Sequence, residues 1–166
     1  MEMQLREWRP ADADALVALC NAADRTYLSN RLPDPYTPED AAWWLRMVAE
    51  HDGQDGIFRA ITVDGRIVGN ISAEQKSDVY HRDAEVGYLL LAEYQGRGIM
   101  TQALRQLTAL AFEKLDIVRL TGLVYAPNTA SRRVLEKNGF QPEGRMKNAV
   151  TKGSALYDLC IYGKCR

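Results

Sequence analysis

The chain has 166 residues, of which 46% are hydrophobic and 26% charged. This length predicts about one domain, residues 1–166, because domains usually hold roughly 100–200 residues. No stretch approaches the roughly 18 consecutive apolar residues of a membrane span, and the amino terminus, MEMQLREWRP, lacks the apolar segment of a secretory signal. Twenty-one basic and 22 acidic residues give a net charge of -1. This balance disfavours a protein that binds nucleic acid through bulk charge.

Metal and disulfide chemistry are also disfavoured by composition. The three cysteines, Cys20, Cys160 and Cys165, are an odd number without CxxC spacing, and only His51 and His81 accompany them. This set predicts neither a zinc site nor a disulfide framework. We therefore expect no metal and a reducing, cytoplasmic location.

The first third of the chain predicts one strand and two helices. Leu5–Trp8 is the strand candidate, and Asp12 can cap the helix that follows. Recurring prolines in 31–38 exclude regular structure there. Thr37 at the N-cap, with proline and acidic residues next, then predicts a second helix that ends before Gly53.

The remaining chain alternates strands with helices. A hairpin is predicted from two β-branched runs, Ile57–Val63 and Arg66–Ile71, joined by Asp-Gly. Ala84–Leu91 is predicted as a buried central strand. The later elements are a helix with one apolar face over Met100–Ala111, a strand Ile117–Tyr125, a short helix capped by Asn128 and closed by Gly139, and strands Phe140–Met146 and Ala155–Tyr162. The order βαα-ββ-βα-βα-ββ predicts an α/β fold, a mixed sheet of about seven strands with helices on both faces.

A glycine-rich segment joins the central strand to its helix. Gly96 and Gly98 can turn the backbone sharply with N–H groups pointing inward, just before a helix N-terminus. Such a loop suits a phosphate or pyrophosphate, although a plain tight turn would have the same sequence. No GK[ST] follows, which excludes a P-loop. Thr101 stands where a dinucleotide fingerprint has Gly or Ala, so a dinucleotide is also disfavoured.

Six short motifs, in this order, resemble the GNAT superfamily of acyl-CoA-dependent N-acetyltransferases. They are Glu85-Val-Gly-Tyr88, Gln95-Gly-Arg-Gly-Ile99, Asn128-Thr-Ala-Ser131, Lys137-Asn-Gly-Phe140, Glu143-Gly144 and Tyr157-Asp-Leu-Cys-Ile-Tyr162. The likeness covers essentially the whole chain and is closest to the RimJ/RimL type, which acetylates ribosomal-protein N-termini. Met100 departs from the family pattern, which has Gly or Ala there.

The resemblance implies the GNAT acyl-CoA N-acyltransferase fold, with a mostly antiparallel twisted sheet, and acetyl-CoA as donor. An amine would attack the thioester directly, so no enzyme nucleophile is expected. The acceptor would be a protein N-terminus or a small-molecule amine, with no direct nucleic-acid or membrane partner and a homodimer left open. The residues implied for acetyl-CoA are Leu89, Leu90, Leu91, Gln95, Gly96, Arg97, Gly98, Ile99, Met100, Thr101, Asn128 and Ser131. Backbone amides near Leu89–Leu91 would stabilise the oxyanion.

The departing thiolate requires a hydrogen-bond donor. The resemblance to RimL-like proteins assigns this role to Ser131, with Asn128 beside the pantetheine. A serine at a helix N-terminus can also simply cap backbone groups. Tyr125 and Tyr157 are the alternative donors, although strand tyrosines commonly just pack on a sheet.

The base that takes the amine proton is a choice between two carboxylates. RimL-like enzymes have a glutamate after a Lys-x-Ala stretch, where this chain has Val150, which cannot accept a proton. Glu85, on the central strand, is the first candidate and Asp158, on the last strand, is the second.

The acceptor pocket is predicted to involve the first helices and the proline-rich loop. The aromatic and apolar residues concentrated there are Tyr27, Leu32, Tyr36, Trp43 and Trp44. Trp43 and Trp44 cannot both face inward on one helix. Three hypotheses for the function remain: an acetyltransferase, an acyl-CoA-binding module without catalysis, and a purely structural domain. The last of these leaves the glycine loop unexplained.

Overall fold

The computed structural model describes all residues, Met1–Arg166. Seven strands and four α-helices make up the fold. Their bounds are β1 Met3–Glu7, α1 Ala13–Ala22, α2 Pro38–His51, β2 Gly56–Val63, β3 Arg66–Gln75, β4 Asp83–Leu90, α3 Ile99–Lys114, β5 Arg119–Tyr125, α4 Thr129–Lys137, β6 Gln141–Lys152 and β7 Ala155–Cys165. The predicted mixed α/β fold is confirmed. No helix is both long enough and apolar enough to cross a membrane.

The strands form one sheet in the order β1-β2-β3-β4-β5-β7-β6. All neighbours are antiparallel except β4 and β5, which are parallel. The β4–β5 pairing begins at Asp83↔Arg119 and stops at Val86↔Gly122. Because β4 runs on to Leu90, the two strands separate in the middle of the sheet. This separation, here called the β4–β5 opening, positions the candidate site.

Helices cover the sheet on both faces. All eight residues of β2 are buried, although successive side chains of a strand point to opposite faces. On one face, Trp44 of α2 lies edge-on to Phe58 of β2, with ring centroids 6.1 Å apart. Helix α3 also contacts β1, β2 and β3, and seven of its residues are buried. The buried apolar side chains form one cluster of 35 residues.

Helix α4 packs closely against β5 at a glycine of that strand. A Cβ atom at Gly122 would lie 2.9 Å from the side chain of Leu135, which is fully buried. The absence of a side chain at Gly122 therefore lets α4 pack directly on the strand. This contact fixes α4 beside the β4–β5 opening.

The helix starts agree with the sequence except at α1. The Asp40 N–H donates to Thr37 Oγ1 over 3.2 Å, so the predicted cap of α2 is confirmed. Asp12 stands at the N-cap of α1 but makes no capping hydrogen bond. Its carboxylate instead accepts hydrogen bonds from Arg6 at 2.9 and 3.0 Å. Strand β6 continues to Lys152, well beyond the predicted end at Met146.

Candidate active site

The β4–β5 opening leaves part of the β4 backbone without a neighbouring strand. The Leu91 N–H donates to the Val68 carbonyl over 2.9 Å. Because backbone groups alternate in direction along a strand, Leu89 also faces β3, whereas Tyr88 and Leu90 face the opening. The Leu90 carbonyl accepts a hydrogen bond from Gln95 Nε2 at 3.1 Å. Of the amides expected to stabilise an oxyanion, only that of Leu90 is directed into the opening, whereas the Leu91 amide is bonded to β3.

The glycine loop leaves a run of backbone amides unpaired at the N-terminus of α3. Gly96 and Gly98 have φ values of 74° and 79°, in the left-handed region that favours glycine. The backbone N–H groups from Gly96 to Thr101 donate to no acceptor in the protein. No acidic residue lies in the first turn of α3, so no carboxylate of that turn repels an anion. Unpaired amides at a helix N-terminus are the usual protein ligands of a phosphate group.

The departure from the family pattern at Met100 does not obstruct this loop. Met100 is 8% exposed and belongs to the hydrophobic core, as does Ile99 at 2%. Their side chains therefore face the sheet and only their amides remain at the helix N-terminus. Arg97 is exposed, with its guanidinium carbon 5.7 Å from the ring centroid of Tyr94.

Ser131 lies in the first turn of α4. Its N–H donates to Asn128 Oδ1 at 3.3 Å, so Asn128 caps the helix as predicted. The hydroxyls of Ser131 and Tyr88 are 2.7 Å apart. Burial raises the pKa of Tyr88 to about 12, against the opposing effect of the Ser131 hydrogen bond. Sequence reasoning missed Tyr88, although it ends one of the family motifs.

Tyr125 and Tyr157, the alternative hydrogen-bond donors, lie away from Ser131. Tyr125 and Tyr157 stack with ring centroids 5.9 Å apart, and Tyr27 lies edge-on to both rings, at 6.3 and 6.0 Å. Strand alternation places Tyr125 on the face of β5 opposite Gly122, and hence opposite α4. These rings, here called the tyrosine cluster, therefore lie on the other face of the sheet from Ser131.

Asp158 is engaged in structural contacts. Its carboxylate accepts hydrogen bonds from the Asn148 N–H at 2.8 Å and from Arg145 Nε at 2.7 Å. The Asn148 hydrogen bond, and then that of Arg145, lower the pKa of Asp158. A carboxylate with a lowered pKa is a weaker proton acceptor, and this disfavours Asp158 as the base.

Glu85 stands opposite Glu74 in the β3–β4 ladder. The surrounding protein desolvates Glu74 and raises its pKa; Arg31 opposes this shift, while the neighbouring charge of Glu85 adds to it. Sequence reasoning missed Glu74, because only strand register brings it beside Glu85. Two adjacent carboxylates, one with a raised pKa, form an arrangement that can bind an ammonium group and accept its proton.

A shallow pocket of about 250 Å³ lies over the same face of β3 and β4. Its lining residues are Leu28, Ser29, Leu32, Asn70, Ser72, Glu74, Gly87, Tyr88 and Leu89. The pocket is thus bounded by the α1–α2 loop on one side and by the opened part of β4 on the other. Lys152 Nζ donates to the carbonyls of Arg25 and Leu28, which ties this loop to the β6–β7 hairpin.

The predicted acceptor residues are only partly brought together. Leu32 lines the pocket and Tyr27 belongs to the tyrosine cluster. Tyr36 is 5% exposed in the core, and Trp44 packs edge-on against Trp8, with centroids 5.4 Å apart. Trp43 is 62% exposed on the outer face of α2. Tyr36, Trp43 and Trp44 are therefore not among the residues that line the pocket.

Metal chemistry finds no support in the side-chain arrangement. No group of three or more His, Cys, Asp or Glu side chains could hold a metal ion. All three cysteines are free.

A mixed seven-stranded sheet that opens between parallel central strands, with a glycine loop at the opening, defines the class of acyl-CoA N-acyltransferases. A family model described as an acetyltransferase (GNAT) domain matches residues 2–141. The chain belongs to the GNAT family and is an acetyl-CoA-dependent N-acetyltransferase.

Several relatives are similar over much of the chain. A Bacillus subtilis protein named as a ribosomal N-acetyltransferase, YdaF, is 33% identical over 137 residues, spanning 82% of this chain and 68% of the relative. The ribosomal-protein-serine acetyltransferase of Escherichia coli is 30% identical over 101 residues, spanning 61% of this chain and 56% of the relative. A structure of RimL, a ribosomal L7/L12 α-N-protein acetyltransferase in complex with coenzyme A, aligns with TM-score 0.85 at 24% identity, covering 98% of this chain and 93% of that one. This last likeness concerns the fold.

Proposed function

We propose that the enzyme acetylates a primary amine, either the N-terminal α-amine of a protein or peptide or a small-molecule amine, by direct attack within a ternary complex. The observation that carries this proposal is the β4–β5 opening, which has the glycine loop at one side and the carboxylate-lined pocket at the other. Donor and acceptor could thus approach the same backbone amide from opposite faces of the sheet.

The donor side of the proposal assigns roles mainly to backbone groups. The free amides from Gly96 to Thr101 would hold the pyrophosphate of acetyl-CoA, and Arg97 would add a positive charge. The Leu90 N–H would donate to the oxyanion that develops on the thioester carbonyl. Asn128 and Ser131, at the N-terminus of α4, would lie beside the pantetheine and the departing sulfur.

The acceptor side requires a neutral amine, because a protonated amine has no lone pair with which to attack. Glu85, with Glu74 beside it, is our proposed proton acceptor. Glu85 lies on the pocket face of β4, two residues before the exposed backbone of Gly87, so a bound water could relay the proton. The thiolate, whose conjugate acid titrates near 8.5 in free thiols, would then leave with a hydrogen bond from Ser131.

A ribosomal-protein N-terminus is the first acceptor to test, because one relative is named as a ribosomal N-acetyltransferase and another as a ribosomal-protein-serine acetyltransferase. Thiol release from acetyl-CoA should be measured with peptides that begin with Ser, Ala or Met and with a panel of small amines. Turnover with at least one of these amines is expected. The alternative is an acyl-CoA-binding module without catalysis, which is suggested by Val150 in place of the family glutamate. Tight binding of acetyl-CoA in calorimetry, without turnover on any amine, would favour this alternative.

We also propose that residues 1–166 act as one domain in the cytoplasm, without a nucleic-acid or membrane partner. The single hydrophobic core, the net charge of -1 and the free cysteines support this proposal. A homodimer is compatible with the exposed apolar side chains of Leu123 and Met146, at 40% and 48%. Sedimentation of the purified protein tests the oligomeric state, and fractionation of the host cell tests the location.

A further inference from the structure

The Tyr88 and Ser131 hydroxyls form a bridge across the β4–β5 opening. Tyr88 lies on β4 beyond Val86, the last residue of that strand to pair with β5. Ser131 lies on α4, which packs against β5 through Leu135 and Gly122. The 2.7 Å contact between the two oxygens therefore joins the two sides of the opening on its α4 face.

The Ser131 hydroxyl makes no other hydrogen bond within the protein. A serine hydroxyl has one hydrogen to donate and two lone pairs with which to accept. Of the contacts of Tyr88, a longer one of 3.4 Å reaches the Ser131 carbonyl, which can only accept. The phenol has a single hydrogen, so Tyr88 as the donor shares it between these two acceptors, with Ser131 Oγ at 2.7 Å as the main partner and the carbonyl at 3.4 Å as the weaker one.

The environment of Tyr88 keeps the phenol neutral, with a hydrogen to donate. Burial raises the pKa of Tyr88 to about 12, so the phenol keeps its proton throughout the physiological range and cannot serve as a tyrosinate base. A neutral phenol that donates to Ser131 Oγ leaves the serine hydrogen to point away from the tyrosine. The hydroxyl, which would otherwise rotate freely, is then fixed before any ligand binds.

We propose that Tyr88 is a positioning residue that donates a hydrogen bond to Ser131 and thereby directs the Ser131 hydroxyl hydrogen to the sulfur of coenzyme A. The inference rests on the proposed role of Ser131. As the tetrahedral adduct collapses, the carbonyl re-forms, the C–S bond breaks and its electron pair stays on sulfur as a thiolate. Both hydroxyls keep their protons, and the thiolate accepts a hydrogen bond from Ser131. Hydrogen bonds to an ionised group are the strong ones, so orientation matters most when the thiolate forms.

The test compares the binding of coenzyme A with that of desulfo-coenzyme A, which lacks the thiol, by calorimetry between pH 7 and 10. Acetyl-CoA binding, which involves no thiolate, serves as the control for folding. The variants are Tyr88→Phe, Ser131→Ala and the double variant. Tyr80→Phe is the matched control, because Tyr80 is 66% exposed and lies outside the site.

The preference of the unaltered protein for coenzyme A should increase as pH rises and the thiol ionises, since free thiols titrate near 8.5. Each single variant should lose about 10-fold of this preference at pH 9, a value expected for one hydrogen bond to a charged group. The double variant should lose no more than Ser131→Ala alone, because Tyr88 acts only through Ser131. Tyr80→Phe should retain the full preference.

Three results would overturn the inference. Loss in Ser131→Ala but not in Tyr88→Phe would mean that the serine orients itself. Loss in Tyr88→Phe but not in Ser131→Ala would make the tyrosine itself the donor, and additive losses would make the two hydroxyls independent. The assay needs no amine, so it separates this inference from the proposed transfer. A protein with the coupled preference but no turnover on any amine would contradict the transferase proposal while supporting the role of Tyr88.

Discussion

Replacing Gly98 by alanine tests the phosphate site with a closely matched control. Gly98 and Gly53 have φ values of +79° and +81°, and an added Cβ atom at either position has no neighbour within 4 Å. Both substitutions therefore carry the same left-handed strain without a clash, which should cost about 1 kcal/mol of unfolding free energy. For a chain of this size that corresponds to a fall in Tm of about 2–4 °C.

The two variants should differ in acetyl-CoA binding. At Gly98 the new methyl group would occupy open space beside the unpaired amides of the loop, where a phosphate must approach the backbone closely. We expect acetyl-CoA affinity to weaken about 10-fold or more, equivalent to about 1.4 kcal/mol, whereas Gly53→Ala should bind like the unaltered protein.

Calorimetry gives the affinities, and the Tm increase at saturating acetyl-CoA gives an independent measure. The unaltered protein and Gly53→Ala should show the same increase, and Gly98→Ala a smaller one. Equal acetyl-CoA affinity in all three proteins would refute the reasoning, because the pyrophosphate would then have to bind elsewhere.

Three further predictions concern catalysis and stability. Ser131→Ala should lower kcat about 10- to 1000-fold, the effect of one well-placed donor, with little change in acetyl-CoA affinity; an unchanged kcat in steady-state assays would assign the thiolate donor elsewhere. Glu85→Gln should lower kcat/KM most near neutral pH, and for an α-amine of pKa near 8 the deficit should shrink as pH rises and the amine becomes neutral without help. Removing the Glu85 charge should also lower the raised pKa of Glu74, so the acidic limb of the kcat/KM profile should move to lower pH if Glu74 takes part; an unmoved limb argues against Glu74. Leu135→Ala should cost about 2–5 kcal/mol in urea unfolding because Leu135 is fully buried against β5, and a cost below 1 kcal/mol would contradict that packing.

Local patterns in the sequence predicted most of the elements. The Thr37 cap, the Asp-Gly hairpin turn and the apolar face of α3 each depend on residues within a few positions of one another. The glycine loop is also a local feature, since two left-handed residues followed by a helix start leave amides unpaired wherever the segment lies. For this reason the unpaired amides of the glycine loop were predictable.

The start of α1 shows where local patterns are insufficient. Asp12 has the residue type and position of an N-cap. Its carboxylate, however, accepts a hydrogen bond from Arg6 of β1 and makes no capping hydrogen bond to α1. The tryptophans of α2 show the same limit, because an aromatic residue can pack in the core as readily as it can line a pocket. Trp44 packs on Trp8, and no local signal announces that contact.

The sequence alone thus determined the family, the order of the elements and the glycine loop of this protein, because short-range backbone preferences and motif spacing encode them. Only the tertiary structure decided which groups meet at the opening. Register between β3 and β4 places Glu74 beside Glu85, and the packing of α4 on Gly122 brings Ser131 to Tyr88. Each of these pairs joins separate elements, so their contacts depend on how the sheet and helices pack and cannot be deduced from spacing along the chain.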